Sequence, residues 1–108
     1  MDVWSLCRYS TGEWFLSNGE GAYKYSESFK RIGKISMNKL ADSYKGYWQG
    51  AIMVNDTPYI IYSAFHPTIA EKYSACLLVS QQDIRRFSTP YETEGACLVE
   101  NKLYFIYG

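Results

Sequence analysis

Histidine is almost missing from this chain of 108 residues: His66 is the only one. A two-histidine metal site and an H-E-x-x-H motif are thereby excluded. A Cys-His dyad has to use His66, with Cys76 or Cys97 as the thiol. Cysteine is scarce as well. Cys7, Cys76 and Cys97 are odd in number and widely spaced, and no C-x-x-C occurs, which speaks against a disulfide framework or zinc ribbon. Each lies in an apolar run (Leu6-Cys7, Ala75-Cys76-Leu77, Ala96-Cys97-Leu98), the setting of a small buried hydrophobe in a reducing compartment. No apolar run approaches the roughly 20 residues that span a bilayer, so no membrane partner is expected. Met1 to Tyr9 has neither a basic start nor a long apolar stretch. It does not read as a secretory leader, and a cytoplasmic location is expected.

Phosphate loops and serine elbows are also lacking. Asn18-Gly19-Glu20-Gly21 has no following lysine-threonine pair and no strand-loop-helix frame, so it reads as a tight turn. No G-x-S-x-G occurs. The close acids Glu92 and Glu94, and Glu13 with Glu20, have the pattern of solvated loop or strand residues. No catalytic constellation emerges, and no metal or cofactor is expected.

Aromatic residues are abundant instead. Eleven tyrosines, five phenylalanines and three tryptophans make 18% of the chain, and such rings favour pleated, half-buried surfaces. Hydrophobic content of 47% and charged content of 20% are ordinary for a globular domain, and the length suits one.

Strand-like runs follow one another: Val3 to Tyr9, a turn at Ser10-Thr11-Gly12, Glu13 to Ser17, Ala22 to Ser26, and Phe29 to Ser36 with a bulge expected at Gly33. Ser36 to Tyr44 has the caps of a short helix ended by Gly46. Tyr47 to Val54 and Tyr59 to Phe65 make a hairpin around the four turn residues Asn55-Asp56-Thr57-Pro58, and His66-Pro67 ends its second strand. Thr68 to Tyr73 has room for one helical turn. Lys72 to Ser80 is apolar almost throughout, as in a strand buried on both faces, with a helix from Ile69 to Leu78 as the competing reading. Gln81 to Phe87 reads as a short helix and Ser88 to Glu94 as a polar loop. Gly95 to Val99, Glu100-Asn101 and Lys102 to Tyr107 form a second hairpin with a two-residue turn. The expected fold is therefore mainly β, or α+β: a single small antiparallel sheet domain, barrel- or sandwich-like, with one or two short helices.

Net charge is zero, but its distribution is uneven. Between Ala22 and Trp48 lie Lys24, Lys30, Arg31, Lys34, Lys39 and Lys45 against Glu27 and Asp42, a net plus four. The segments on either side are each minus two. Interleaved cations and rings suit an acidic partner or a single-stranded nucleic acid, and equally suit a strand that is wet on one face.

The function expected from these features is a non-enzymatic binding protein that occludes a macromolecular partner, most readily another protein. In size, β-rich pattern and lack of catalytic groups the chain resembles, as a class, toxin-immunity proteins and phage-encoded inhibitors of host defence. Its partner-binding candidates are Lys39, Tyr44, Lys45, Tyr47 and Trp48, or Tyr91, Glu92 and Glu94 of the acidic loop. The alternative is a small barrel that binds a nucleotide or single-stranded nucleic acid, with Lys24, Lys30, Arg31 or Lys34 on the phosphate.

Overall fold

Alternation of side chains across a strand decides most of this architecture. A computed structural model describes residues 5–18, 21–38, 46–65, 73–89 and 92–107, and these form three antiparallel sheets. The first is a meander of β1 (Ser5–Arg8), β2 (Trp14–Asn18), β3 (Gly21–Tyr25) and β4 (Arg31–Ile35). The second is a meander of β5 (Gly46–Val54), β6 (Thr57–Phe65), β7 (Tyr73–Val79) and β8 (Ile84–Ser88). The third is the hairpin of β9 (Thr93–Val99) and β10 (Lys102–Tyr107). Among the described residues there is no helix, so none is long and apolar enough to cross a membrane.

The second sheet buries side chains on both faces. Ile60, Tyr62 and Ala64 of β6 stand opposite Val79, Leu77 and Ala75 of β7 and point to one side. Tyr59 and Ile61 point to the other with Ile52, Cys76 and Leu78. On the first side Ile60 packs with Phe15 of β2 and Ala22 of β3, and Cys7, Ile35, Met37, Ala51 and Met53 surround that contact. On the second side Ala96, Leu103 and Phe105 of the hairpin complete the cluster. Polar ties fix the first two sheets to each other. The Ser10 backbone N–H donates to Asp56 Oδ1 at 2.8 Å and the Ser10 hydroxyl to Oδ2, which together hold the Asp56 carboxyl below the usual carboxylate range. At the other end the Asn38 backbone N–H donates to the Ser80 carbonyl at 2.7 Å.

Both expected hairpins form, the first with a tighter turn than four residues. Asn55 and Asp56 alone make it, at φ of 49° and 59°, and Thr57 and Pro58 already belong to β6. Two left-handed residues give the turn the twist that the flanking strands need. Pro58 pairs with Met53, and no β7 residue stands opposite it, because the β6–β7 register begins at Ile60. Its missing N–H therefore leaves no gap in that ladder. Glu100 and Asn101, at φ of 50° and 66°, turn the second hairpin as expected.

The helix expected over Gln81 to Phe87 is instead a bend followed by β8. Ile84 and Phe87 lie three apart, a helical spacing, but here they face opposite sides of the strand: Ile84 joins the Tyr62–Leu77 cluster and Phe87 the Tyr59–Cys76 cluster. Ser80 starts the bend by accepting from the backbone N–H groups of Gln82 and Asp83, at 3.3 and 3.1 Å. The loop expected over Ser88 to Glu94 is cut short as well, since Thr93 and Glu94 open β9. The bulge expected at Gly33 sits one residue earlier: Lys24 pairs with Gly33 and Tyr25 with Arg31, leaving Ile32 unpaired. Residues 36–38 are not helical; the rest of the helix expected over Ser36 to Tyr44 lies outside the described residues, as do residues 68–72 and His66-Pro67.

Phe15 is fully buried at the junction of the two meanders, so Phe15→Ala should lower unfolding stability by about 3–5 kcal/mol in urea denaturation. Glutamate has little tolerance for the left-handed region, so Glu100→Asn should raise stability by roughly 0.5–1 kcal/mol in the same assay.

Candidate functional site

The β9–β10 hairpin carries apolar side chains on both faces, and among the described residues one of them packs inside the molecule. Register places Ala96 opposite Phe105 and Leu98 opposite Leu103 on the inward face, against Val54 and Phe87 of the second sheet. Phe87 and Phe105 pack with ring centroids 5.2 Å apart. The same register places Cys97 opposite Tyr104, and Val99 and Ile106 in line with them, on the outward face. There Val99 is 51%, Tyr104 51% and Ile106 59% exposed, while Tyr107 at the strand end stacks on Phe105 of the inward side. These aliphatic and tyrosine side chains form an exposed row. Lys102 stands opposite Val99 on the same face, and Glu94 and Glu100 are exposed along its border.

Two segments singled out separately in the sequence meet at the foot of this hairpin. Tyr47 of β5 pairs with Ser63 of β6, and the buried Ser63 hydroxyl accepts from the Thr93 backbone N–H at 3.1 Å. Close by, Gln49 Nε2 donates to Glu92 Oε1 at 3.1 Å. Tyr47, which is 57% exposed, thus stands beside the start of β9, where Glu92 and Glu94 flank a fully buried Thr93. Trp48 does not join them. It points to the other side of the sheet and packs on Ile60, Phe15 and the Tyr62–Leu77 cluster, because successive residues of a strand face opposite ways. Lys39, Tyr44, Lys45 and Tyr91 lie outside the described residues.

The cations of the nucleic-acid alternative do not converge. The bulge at Ile32 puts Arg31 and Lys34 on one face of β4, next to Tyr25 and Tyr23. There the Arg31 guanidinium stacks 3.9 Å from the Tyr23 ring centroid and donates to the Tyr25 hydroxyl at 3.1 Å. Lys24 faces the other way, over the Tyr9 ring and 3.3 Å from Glu13. Lys30 is exposed in the turn before β4. The same outer face carries two contacts that the sequence did not single out. Arg8 lies 4.8 Å over Trp14 and pairs with Glu27, and Phe29, at φ 63°, packs 5.0 Å from Trp14.

Two of the three thiols are withdrawn from solvent, and His66, the partner a Cys-His dyad requires, lies outside the described residues. Burial pushes Cys7 up to about 12 and Cys76 up to about 11, which keeps both protonated at neutral pH. Cys97 is exposed on the outward face of the hairpin. Among the described residues no group of three or more metal-ligating side chains comes together. The outward face of the hairpin escaped notice in the sequence, although a signal was present. Residues 96–99 and 103–107 are apolar at both parities, and a hairpin has only one face that its own domain can cover. Comparison with protein-family models, curated proteins and solved structures returned no match for this chain.

Thiol labelling checks the burial pattern. In native protein at pH 8, Cys97 should react with a maleimide at the rate of a small free thiol. Cys7 and Cys76 should react only after denaturant is added, as read by intact mass.

Proposed function

We propose that this chain is a non-catalytic binding protein that occludes a surface of a protein partner, docking through the outward face of the β9–β10 hairpin. The observation that carries this reading is the exposed row Val99, Tyr104 and Ile106, bordered by Tyr47. Each large apolar side chain buried in a complex contributes roughly 1.5–3 kcal/mol before the costs of association. Three or four such anchors hold a complex only inside a standard interface of about 800 Å² per partner. The rest of that area falls to the rim. Glu92, Glu94 and Glu100 against Lys102 leave the rim net negative by two, which favours a partner whose own apolar patch is bordered by basic groups.

In this reading the β1–β4 and β5–β8 sheets are the two layers of a sandwich that presents the hairpin. The working class is that of inhibitors, toxin-immunity proteins and anti-defence proteins, acting in the cytoplasm. The nucleotide or single-strand alternative draws less support. Arg31 and Arg8 already cover the rings beside them, and Lys24 is held by Glu13.

The test uses purified full-length protein with a partner identified by affinity capture and then reconstituted. Ile106→Asp and Tyr104→Ala should each weaken its binding by about 30-fold or more in calorimetry, with the melting temperature unchanged. A partner that binds these variants as tightly as the parent, or self-association that Ile106→Asp abolishes with no other protein bound, would refute this reading.

A further inference from the structure

The strands at the ends of the sheets are guarded unequally. β1 carries Arg8, β4 carries Arg31 and Lys34 beside its bulge at Ile32, and β8 carries Arg85 and Arg86. β5 lies against β1 and β9. Cations and bulges on an outer strand discourage pairing with another chain. β10 has neither device along its length. Its one charge, Lys102, stands at the turn end, and Leu103-Tyr104-Phe105-Ile106-Tyr107 follow with no charge, proline or glycine among them. The bulge of this hairpin falls on β9, where Glu94 is left unpaired between Thr93 and Gly95.

Register fixes which backbone groups face outward. Val99 pairs with Lys102 across the two-residue turn, so Lys102, Tyr104 and Ile106 direct their N–H and C=O groups at β9. Leu103 and Phe105 direct theirs the other way. β10 has β9 as its one neighbour among the described strands, and the outward N–H and C=O groups of Leu103 and Phe105 make no hydrogen bond among the described residues. The side chains of the same two residues pack inward on the Tyr59–Cys76 cluster, which holds the edge extended. The edge is thus preformed for one more strand.

A second copy of the same edge matches it in one register. Antiparallel pairing centred on Tyr104 sets Leu103 of each copy opposite Phe105 of the other, and every outward N–H then meets a C=O. The same register sets Lys102 opposite Ile106 of the other copy, one strand away from that copy's Glu94. Lys102 and Glu94 are exposed, and neither forms an ion pair among the described residues. Hydrogen bonds and charges are therefore satisfied together.

We propose that this chain forms a homodimer in which two β10 strands pair antiparallel about Tyr104, joining the hairpins into one continuous sheet. The outward rows of the two copies then lie side by side. Main-chain groups of Leu103 and Phe105 make the contact, so it is separate from the docking face that Ile106 presents. An edge contact of this size gives a weak dimer, with a dissociation constant on the order of 10–100 µM.

Sedimentation velocity of the full chain from about 1 to 300 µM should show a reversible monomer–dimer equilibrium. Lys102→Glu should weaken the dimer about tenfold, and adding Glu94→Lys should restore it. Joining residues 1–96 to a synthetic 97–108 segment at Cys97 permits N-methylation of Phe105. That change removes one edge donor and should abolish the dimer with the melting temperature held; if the joined chain fails to refold, the charge pair decides. Ile106→Asp sets an acid opposite Lys102 of the second copy and should keep the dimer, so loss of the dimer and loss of partner binding are read separately. A monomer throughout the range, assembly beyond the dimer, or a dimer that Ile106→Asp abolishes would overturn the proposal. So would a dimer unmoved by Lys102→Glu, or by N-methylation in a chain that refolds.

Discussion

The two inner strands of the second sheet have no wet face, and the rest of the molecule follows from that. Ile60 looks one way and Tyr59 and Ile61 the other, while Cys76, Leu77, Leu78 and Val79 of β7 are all buried. At roughly 25 cal/mol per Å² of apolar surface removed from water, neither side can be left open without losing much of the stability of a small domain. Two covers are required. The β1–β4 meander supplies one through Phe15 and Ala22, and the β9–β10 hairpin supplies the other through Ala96, Leu103 and Phe105. Asp56 and Asn38 then hold the first cover at its two ends by hydrogen bonds to backbone and side-chain groups.

The second cover has a consequence for function. A two-stranded hairpin is marginal by itself, and this one exists because its inward face is docked. Docking leaves an outward face that a purely structural cover would make polar. Instead it carries Val99, Tyr104 and Ile106, whose exposure weakens solubility with no return inside the fold. Tyrosine suits such an exposed position: its ring offers contact area at little cost in rotamer entropy, and its hydroxyl tolerates water. The position of Tyr47 extends the same surface onto β5, through the Ser63–Thr93 hydrogen bond that seats the start of β9.

Legibility in the sequence divided along physical lines. Hairpins were readable because their turns are local: Asn55-Asp56 and Glu100-Asn101 stand between runs of β-branched and aromatic residues. The apolar run through β7 was readable as a strand buried on both faces, since a sheet covered on both sides erases the alternation of two. What failed was arbitration between periods in short segments. Ile84 and Phe87 suit a helix by spacing and a strand by having a hydrophobic cluster on each side, and only the tertiary covers decide between them. The candidate residues divide by the same rule of alternation. Tyr47 and Trp48 are adjacent, and adjacency in a strand sends them to opposite faces, whereas Tyr47 and Glu92, distant in sequence, come together at Ser63 and the start of β9.

The uneven charge of the chain has a similar resolution. A segment of net plus four invites a long-range attraction for phosphates, but its described cations are spread over both faces of the first sheet, and two of them are engaged nearby. Glu13 lies against Lys24, Glu27 against Arg8, and the Tyr23 and Tyr25 rings against Arg31. Exposed pairs of this kind add little to stability, and their effect is to cancel the field beyond a Debye length of about 8 Å at physiological salt. Lys34 stands on the Tyr23 face of β4 and forms no ion pair among the described residues. The hairpin's own rim is acidic. Charge is thus local in this molecule, with cations on the outer face of the first sheet and acids around the hairpin. The field near each surface is set by those few groups, and the summed charge of the chain does not foretell it.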